Sequence, residues 1–80
     1  MLAAVTLENS TRTTRVTITP SYIATYRVRS GQWALDGSLI QCNLSDAGML
    51  DNAEAFVERM GFDIIGSAFV GRPDDGIVQR

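Results

Sequence analysis

The sequence predicts an α+β domain: an antiparallel meander sheet of four to six strands packed against one main α-helix over residues 51–60. Two patterns carry that prediction. Tyr22, Ala24, Tyr26 and Val28 alternate with Ile23, Thr25, Arg27 and Arg29, a period of two that sends neighbouring side chains to opposite faces of a strand. Ala53, Phe56, Val57 and Met60 fall at i, i+3, i+4 and i+7, one apolar face over two helical turns. A chain of 80 residues supports one core with a narrow stability margin. The elements therefore belong to a single small domain, 1–80.

Each element has its own local warrant. Leu2 to Leu7 is a run of β-compatible residues, and Glu8-Asn9-Ser10-Thr11-Arg12 is its polar connection to a second strand in which Val16 and Ile18 alternate with Arg15 and Thr17. Pro20 with Ser21 separates that strand from the third. Ser30-Gly31 offers a tight turn into Gln32 to Leu35. Asp36-Gly37 predicts a two-residue hairpin before Ser38 to Leu44, because both residues tolerate positive φ. For the helix, Asp51 is read as N-cap with Glu54 three residues on, a capping box, while Ser45 or Asp46 caps an earlier short turn through Ala47 to Leu50. Gly61 is placed to end the helix as a left-handed residue, with Phe62 as the apolar contact after it. Phe62 to Val70 reads as a last strand, with a bulge or close approach at Gly66. Gly71 to Gly76 is a turn, and Ile77-Val78 a short edge strand or frayed end.

Composition removes whole classes of function. The chain has no histidine, so serine triads, histidine metal sites and histidine proton shuttles are excluded. The one cysteine, Cys42, cannot form an internal disulfide or a multi-thiolate metal site; in the run Leu39 to Leu44 it reads as a small buried hydrophobe, with a link between two copies as the alternative. All seven cations are arginines, planar forks suited to carboxylates and phosphates. The N-terminal residues lack the basic and apolar regions of a signal peptide, and no apolar run is long enough to span a membrane. Asn9-Ser10-Thr11 and Asn43-Leu44-Ser45 match the glycosylation triplet by chance, and the expected location is the cytoplasm of a host cell. No cofactor is expected.

Catalytic candidates are thin. Gly66-Ser67-Ala68-Phe69-Val70-Gly71 has the wrong spacing for a nucleophile elbow, and Ser67 has no histidine base. Asp74-Asp75 sits in a turn context without further ligands. The expectation is that the protein is not an enzyme.

Charge is sorted along the chain. Residues 1 to 35 carry Arg12, Arg15, Arg27 and Arg29 against Glu8, a balance of +3, whereas residues 36 to 80 hold eight acids against Arg59, Arg72 and Arg80, a balance of −5. If Val16 and Tyr26 face the helix, Arg15, Arg27 and Arg29 project from the opposite sheet face, where they suit phosphates or an acidic partner. The tyrosines then point away from that face, unlike the exposed aromatics on which single-stranded bases stack. Asp51, Glu54 and Glu58 form the second constellation, an acidic stripe opposite the apolar helix face with Asp46 before it and Asp63 after it. Glu54 and Glu58 are like charges at i, i+4, which costs a few tenths of a kcal/mol. A third feature is apolar: Ile65 and Phe69 share one side of the last strand, opposite Ile64 and Val70, so one helix leaves an apolar face for a partner or a second copy unless the tail folds over it.

In length, acidity, sheet-plus-helix plan and lack of catalytic motif, the whole chain resembles the small inhibitors that phages and mobile elements make against bacterial defence systems, the anti-CRISPR proteins in particular. The resemblance implies a non-enzymatic, steric mechanism. The acidic stripe Asp51, Glu54 and Glu58, or the arginine face, docks on a nuclease or surveillance complex and blocks access of nucleic acid. Two other readings stand beside it: a structural or assembly subunit that self-associates through Ile65 and Phe69, and a regulator that binds nucleic acid through Arg15, Arg27 and Arg29.

Overall fold

The computed structural model describes residues 1–37 and 39–69. Six strands and one helix follow in the order β1 (Leu2–Glu8), β2 (Thr14–Ile18), β3 (Tyr22–Arg29), β4 (Gln32–Leu35), β5 (Ile40–Gln41), α1 (Asp46–Met60) and β6 (Asp63–Phe69). The fold is α+β, an antiparallel sheet packed with one helix. Its strand order is β4-β3-β2-β1-β6, with β5 also pairing to β3. The β1 to β4 meander and the full extent of β3 agree with the alternation in the sequence.

Short polar groups close the turns. The Asn9 side-chain oxygen accepts from the N–H of Thr13 (2.8 Å) and Thr14 (3.0 Å), which allows Arg12 to sit at φ 58°. Between β2 and β3 the Thr19 hydroxyl accepts from Tyr22 N–H at 3.0 Å and lies 3.0 Å from the Tyr22 carbonyl, to which it donates. Ser30 and Gly31 take φ 52° and 79°, the paired positive values of a two-residue hairpin whose twist matches its strands.

The expected hairpin at Asp36-Gly37 does not form. Gly37 has φ 83°, but the Asp36 N–H donates to the Thr25 carbonyl at 2.7 Å, which holds the chain along β3. The following strand is reduced to Ile40–Gln41 and pairs with Tyr22 and Ile23. Thus β4 and β5 occupy successive stretches of one edge of β3.

The helix is a single element that begins five residues before the expected start. Ser45 is the N-cap, and its hydroxyl accepts from Gly48 N–H at 3.1 Å. In the first turn, an Asp46 carboxylate oxygen accepts from Leu2 N–H at 3.1 Å, which ties the helix start to β1. Asp51 is therefore an interior residue, and the Asp51–Glu54 pairing is not a capping box. Gly48 sits in this first turn beside Leu44, where a Cβ would meet the Leu44 side chain at 3.4 Å, an ordinary contact distance. At the other end Gly61 is left-handed, φ 71°, as its position after Met60 predicts.

Helix and sheet meet over β1, β2 and β6. The cross-strand pairs Val5–Ile18 and Leu7–Val16 lie beneath Met49, Ala53 and Phe62, with Leu2 completing the buried cluster and Ile23, Leu44 and Phe56 packed around it. The inward helix residues are thus Met49, Ala53 and Phe56, while Val57 and Met60 of the expected apolar face are 38% and 61% exposed. Phe62 replaces them by folding back past Gly61, its ring 5.6 Å from that of Phe56. No helix among the described residues is long and apolar enough to cross a membrane.

Candidate functional site

Register decides which charged groups share a face. Directly opposed residues in an antiparallel pair point to the same side, and Val16 opposes Thr25 while Arg15 opposes Tyr26. Val16 and Tyr26 therefore lie on opposite faces, contrary to the expectation that both face the helix. Arg27 opposes Ala34 and Arg29 opposes Gln32, so these two arginines lie on the helix side of the sheet and Arg15 on the other. The three arginines do not form one face.

Each of these arginines is paired within the chain. Arg15 donates from Nε and Nη2 to one oxygen of Glu8, at 2.9 and 2.5 Å, and Arg12 stands 3.8 Å from the other oxygen. Arg27 Nε donates to Asp36 at 2.7 Å, and Arg29 lies 3.7 Å from its second oxygen. Two guanidiniums thus share each carboxylate. Arg15 also lies over the Trp33 ring, 4.4 Å from its centroid. The sheet face away from the helix carries Arg15, Tyr26, Val28, Trp33 and Leu35, by the pairings Arg15–Tyr26, Tyr26–Leu35 and Val28–Trp33. Aromatics and Arg15 share this open face, a juxtaposition that strand alternation alone could not reveal.

The acidic stripe differs in kind. Asp51, Glu54 and Glu58 are all exposed, and among the described residues none of them has an ion-pair partner. They sit at i, i+3 and i+7 of a regular helix, which places them on one side of it, away from Met49 and Ala53. The three do not converge: no group of three or more Cys, Asp or Glu among the described residues could hold a metal ion. Glu58 is in the last turn, where the helix dipole disfavours an anion, while Arg59 beside it is favoured there. The stripe is a spread surface of negative charge.

Beside the stripe lies a groove the sequence did not single out. Asn52, Ala55, Phe56, Arg59 and Met60 line a shallow cavity of about 300 Å³. A smaller polar one of about 70 Å³ lies between Glu8, Arg12, Asp63 and Ile65. The signal for the groove was present in Ala55, a small residue at i+4 from Asp51 and i−3 from Glu58, next to Phe56 and between the longer side chains of Asn52 and Arg59.

The apolar candidates Ile65 and Phe69 fall on β6, whose residues are all exposed. β6 pairs with β1 alone among the described strands. Its register shifts twice, between Leu2 and Ala4 and between Thr6 and Leu7 of β1, so a strict two-residue alternation along β6 does not hold. Ile64, Ile65 and Phe69 are 51%, 46% and 44% exposed, so Ile64 and Ile65 both reach solvent. Cys42 is half-buried, with its N–H donating to the Ser21 carbonyl at 3.0 Å. Val70, Asp74-Asp75 and Ile77-Val78 lie outside the described residues.

Comparison of the chain with protein-family models, with curated proteins and with solved structures gives no match. The site stands on its own geometry.

Proposed function

We propose that this domain is a non-enzymatic protein-binding inhibitor, and that its acidic helix face occupies the basic, nucleic-acid-handling surface of a partner protein. The mechanism is steric. A row of carboxylates takes the place of backbone phosphates in an arginine- or lysine-lined channel, in the manner of the anti-CRISPR-type proteins that the chain resembles in format, and the natural setting is the cytoplasm of a host cell.

One observation supports this reading above the others. Asp51, Glu54 and Glu58 are exposed and unpaired among the described residues, while Arg12, Arg15, Arg27 and Arg29 all share intrachain carboxylates. Like charges at i, i+4 destabilise a helix by a few tenths of a kcal/mol, and no arginine among the described residues relieves the stripe. A basic partner converts that repulsion into attraction and steers the encounter.

The test is charge reversal. With the wild-type domain as bait in a host lysate, the captured partner should be a nucleic-acid-handling protein eluted by raised salt, and Glu54→Lys/Glu58→Lys should lose it while keeping the wild-type circular dichroism spectrum. Capture that is indifferent to the reversal removes the stripe from the mechanism.

A further inference from the structure

We infer that the groove on the flank of α1 is an anchor pocket for one aromatic side chain of the partner, presented between basic residues. The inference rests on the docking role assigned above to the helix, and it specifies what the partner must carry.

The cavity is a concave, partly apolar section of that helix surface, lined by Asn52, Ala55, Phe56, Arg59 and Met60. At about 300 Å³ it lies at the lower end of the range for ligand pockets, room for one large side chain. Its parts are fixed by different means. The Phe56 ring is braced against Phe62, at 5.6 Å between centroids, and the Asn52 amide donates to the Gly48 carbonyl at 2.8 Å. Ala55 leaves the floor open. Met60 is 61% exposed, a flexible thioether of the kind that moulds to aromatic rings. Arg59 completes the rim, exposed and without an ion pair among the described residues.

Arg59 decides which side chain enters. A guanidinium beside an apolar notch attracts the face of an aromatic ring and repels an arginine or lysine. The carboxylates do the reverse. Because Ala55 lies one turn from both Asp51 and Glu58, the notch opens directly onto the stripe, and a single segment meets both. Cations of the partner settle on Asp51, Glu54 and Glu58, and an aromatic residue between them turns into the notch. A second copy of the chain does not offer such a segment among the described residues, since its strand arginines are held by Glu8 and Asp36 and its one tryptophan, Trp33, lies under Arg15.

The probe is a labelled synthetic peptide with one tryptophan flanked on both sides by arginines, compared by fluorescence anisotropy with versions in which alanine or leucine replaces the tryptophan. The tryptophan peptide should bind the wild-type domain about tenfold more tightly than the alanine peptide, the scale of a buried aromatic anchor, with leucine in between. Ala55→Leu, which fills the notch with a good helix former, should erase that preference, and Arg59→Gln should reduce the gap between tryptophan and leucine. Glu54→Lys/Glu58→Lys should weaken all three peptides alike. If the three peptides bind wild type equally and the charge reversal still abolishes binding, the notch proposal falls and the stripe stands. If none binds, or if Ala55→Leu leaves the tryptophan preference intact in a folded protein, the proposal is overturned.

Discussion

Glu8 is 4% exposed yet opposes Arg15, on the sheet face that α1 does not cover. Its burial comes from side chains: Arg15 bonds it across the strand pair, Arg12 approaches from the turn, and the Arg15 guanidinium lies over the Trp33 ring. A carboxylate so enclosed is tolerable only while paired, because an isolated buried charge is far costlier than the pair. Arg15→Met should therefore destabilise the domain by about 2 kcal/mol, because it leaves the enclosed Glu8 carboxylate with only Arg12 at 3.8 Å; the cost stays below that of a fully buried pair because the Arg15 side chain is partly solvated. Glu8→Leu combined with Arg15→Met should recover most of that loss, as apolar replacement of an ion pair often does. Urea unfolding followed by Trp33 emission measures both, and a double variant as weak as Arg15→Met alone would show that the pair itself carries the stability. Neither residue was legible as a partner in the sequence. They lie seven apart, and only the Asn9 turn, whose length no residue type fixes beforehand, brings them face to face.

The start of α1 separates two candidate caps by their energetics. Ser45 accepts from Gly48 N–H, so Ser45→Ala should cost about 1 kcal/mol, the usual value of a lost N-cap. Asp51 caps nothing and stands beside Glu54 and Glu58, so Asp51→Ala should cost less than about 0.5 kcal/mol, the difference between a surface substitution and a cap. Thermal unfolding of the two variants tests the assignment, and the reverse order would restore the cap at Asp51. The sequence was misleading here for a physical reason: Asp-x-x-Glu before an apolar run is a genuine capping signature, so Ser45 or Asp46 reads as the cap of a separate short turn rather than of the same helix. The bounds of β3, the Ser30-Gly31 turn and the Gly61 end were legible because alternation and left-handed glycines are local properties. The faces of Arg15, Arg27 and Arg29 were not, because register is set between strands. The hairpin expected at Asp36-Gly37 failed through long-range contacts of the same sort, with Arg27, Arg29 and the Thr25 carbonyl holding Asp36 on β3.

At the scale of the molecule, the inhibitor and assembly readings of the surface make opposite demands on oligomeric state. An assembly subunit should self-associate through the apolar side chains of β6, whereas an inhibitor that docks through α1 has no need to. Among the described residues β6 is an edge, with Ile64, Ile65 and Phe69 exposed, a composition that invites edge-to-edge pairing. Two register shifts against β1 interrupt it, and such irregularities bend an edge away from the straight ladder a second copy would extend. Charge opposes association too. Residues 42–69 hold Asp46, Asp51, Glu54, Glu58 and Asp63 against Arg59, a balance of −4, so two copies brought together along β6 also bring their acidic helices near each other. That repulsion is strongest at low salt, where screening reaches about 30 Å rather than the 8 Å of physiological ionic strength. The chain should therefore sediment as a monomer at low-micromolar concentration, and lowering the salt should not drive it to associate. Ile65→Asp and Phe69→Asp should leave the sedimentation coefficient unchanged. A concentration-dependent oligomer that either substitution disperses would transfer the functional surface from the helix to the sheet edge.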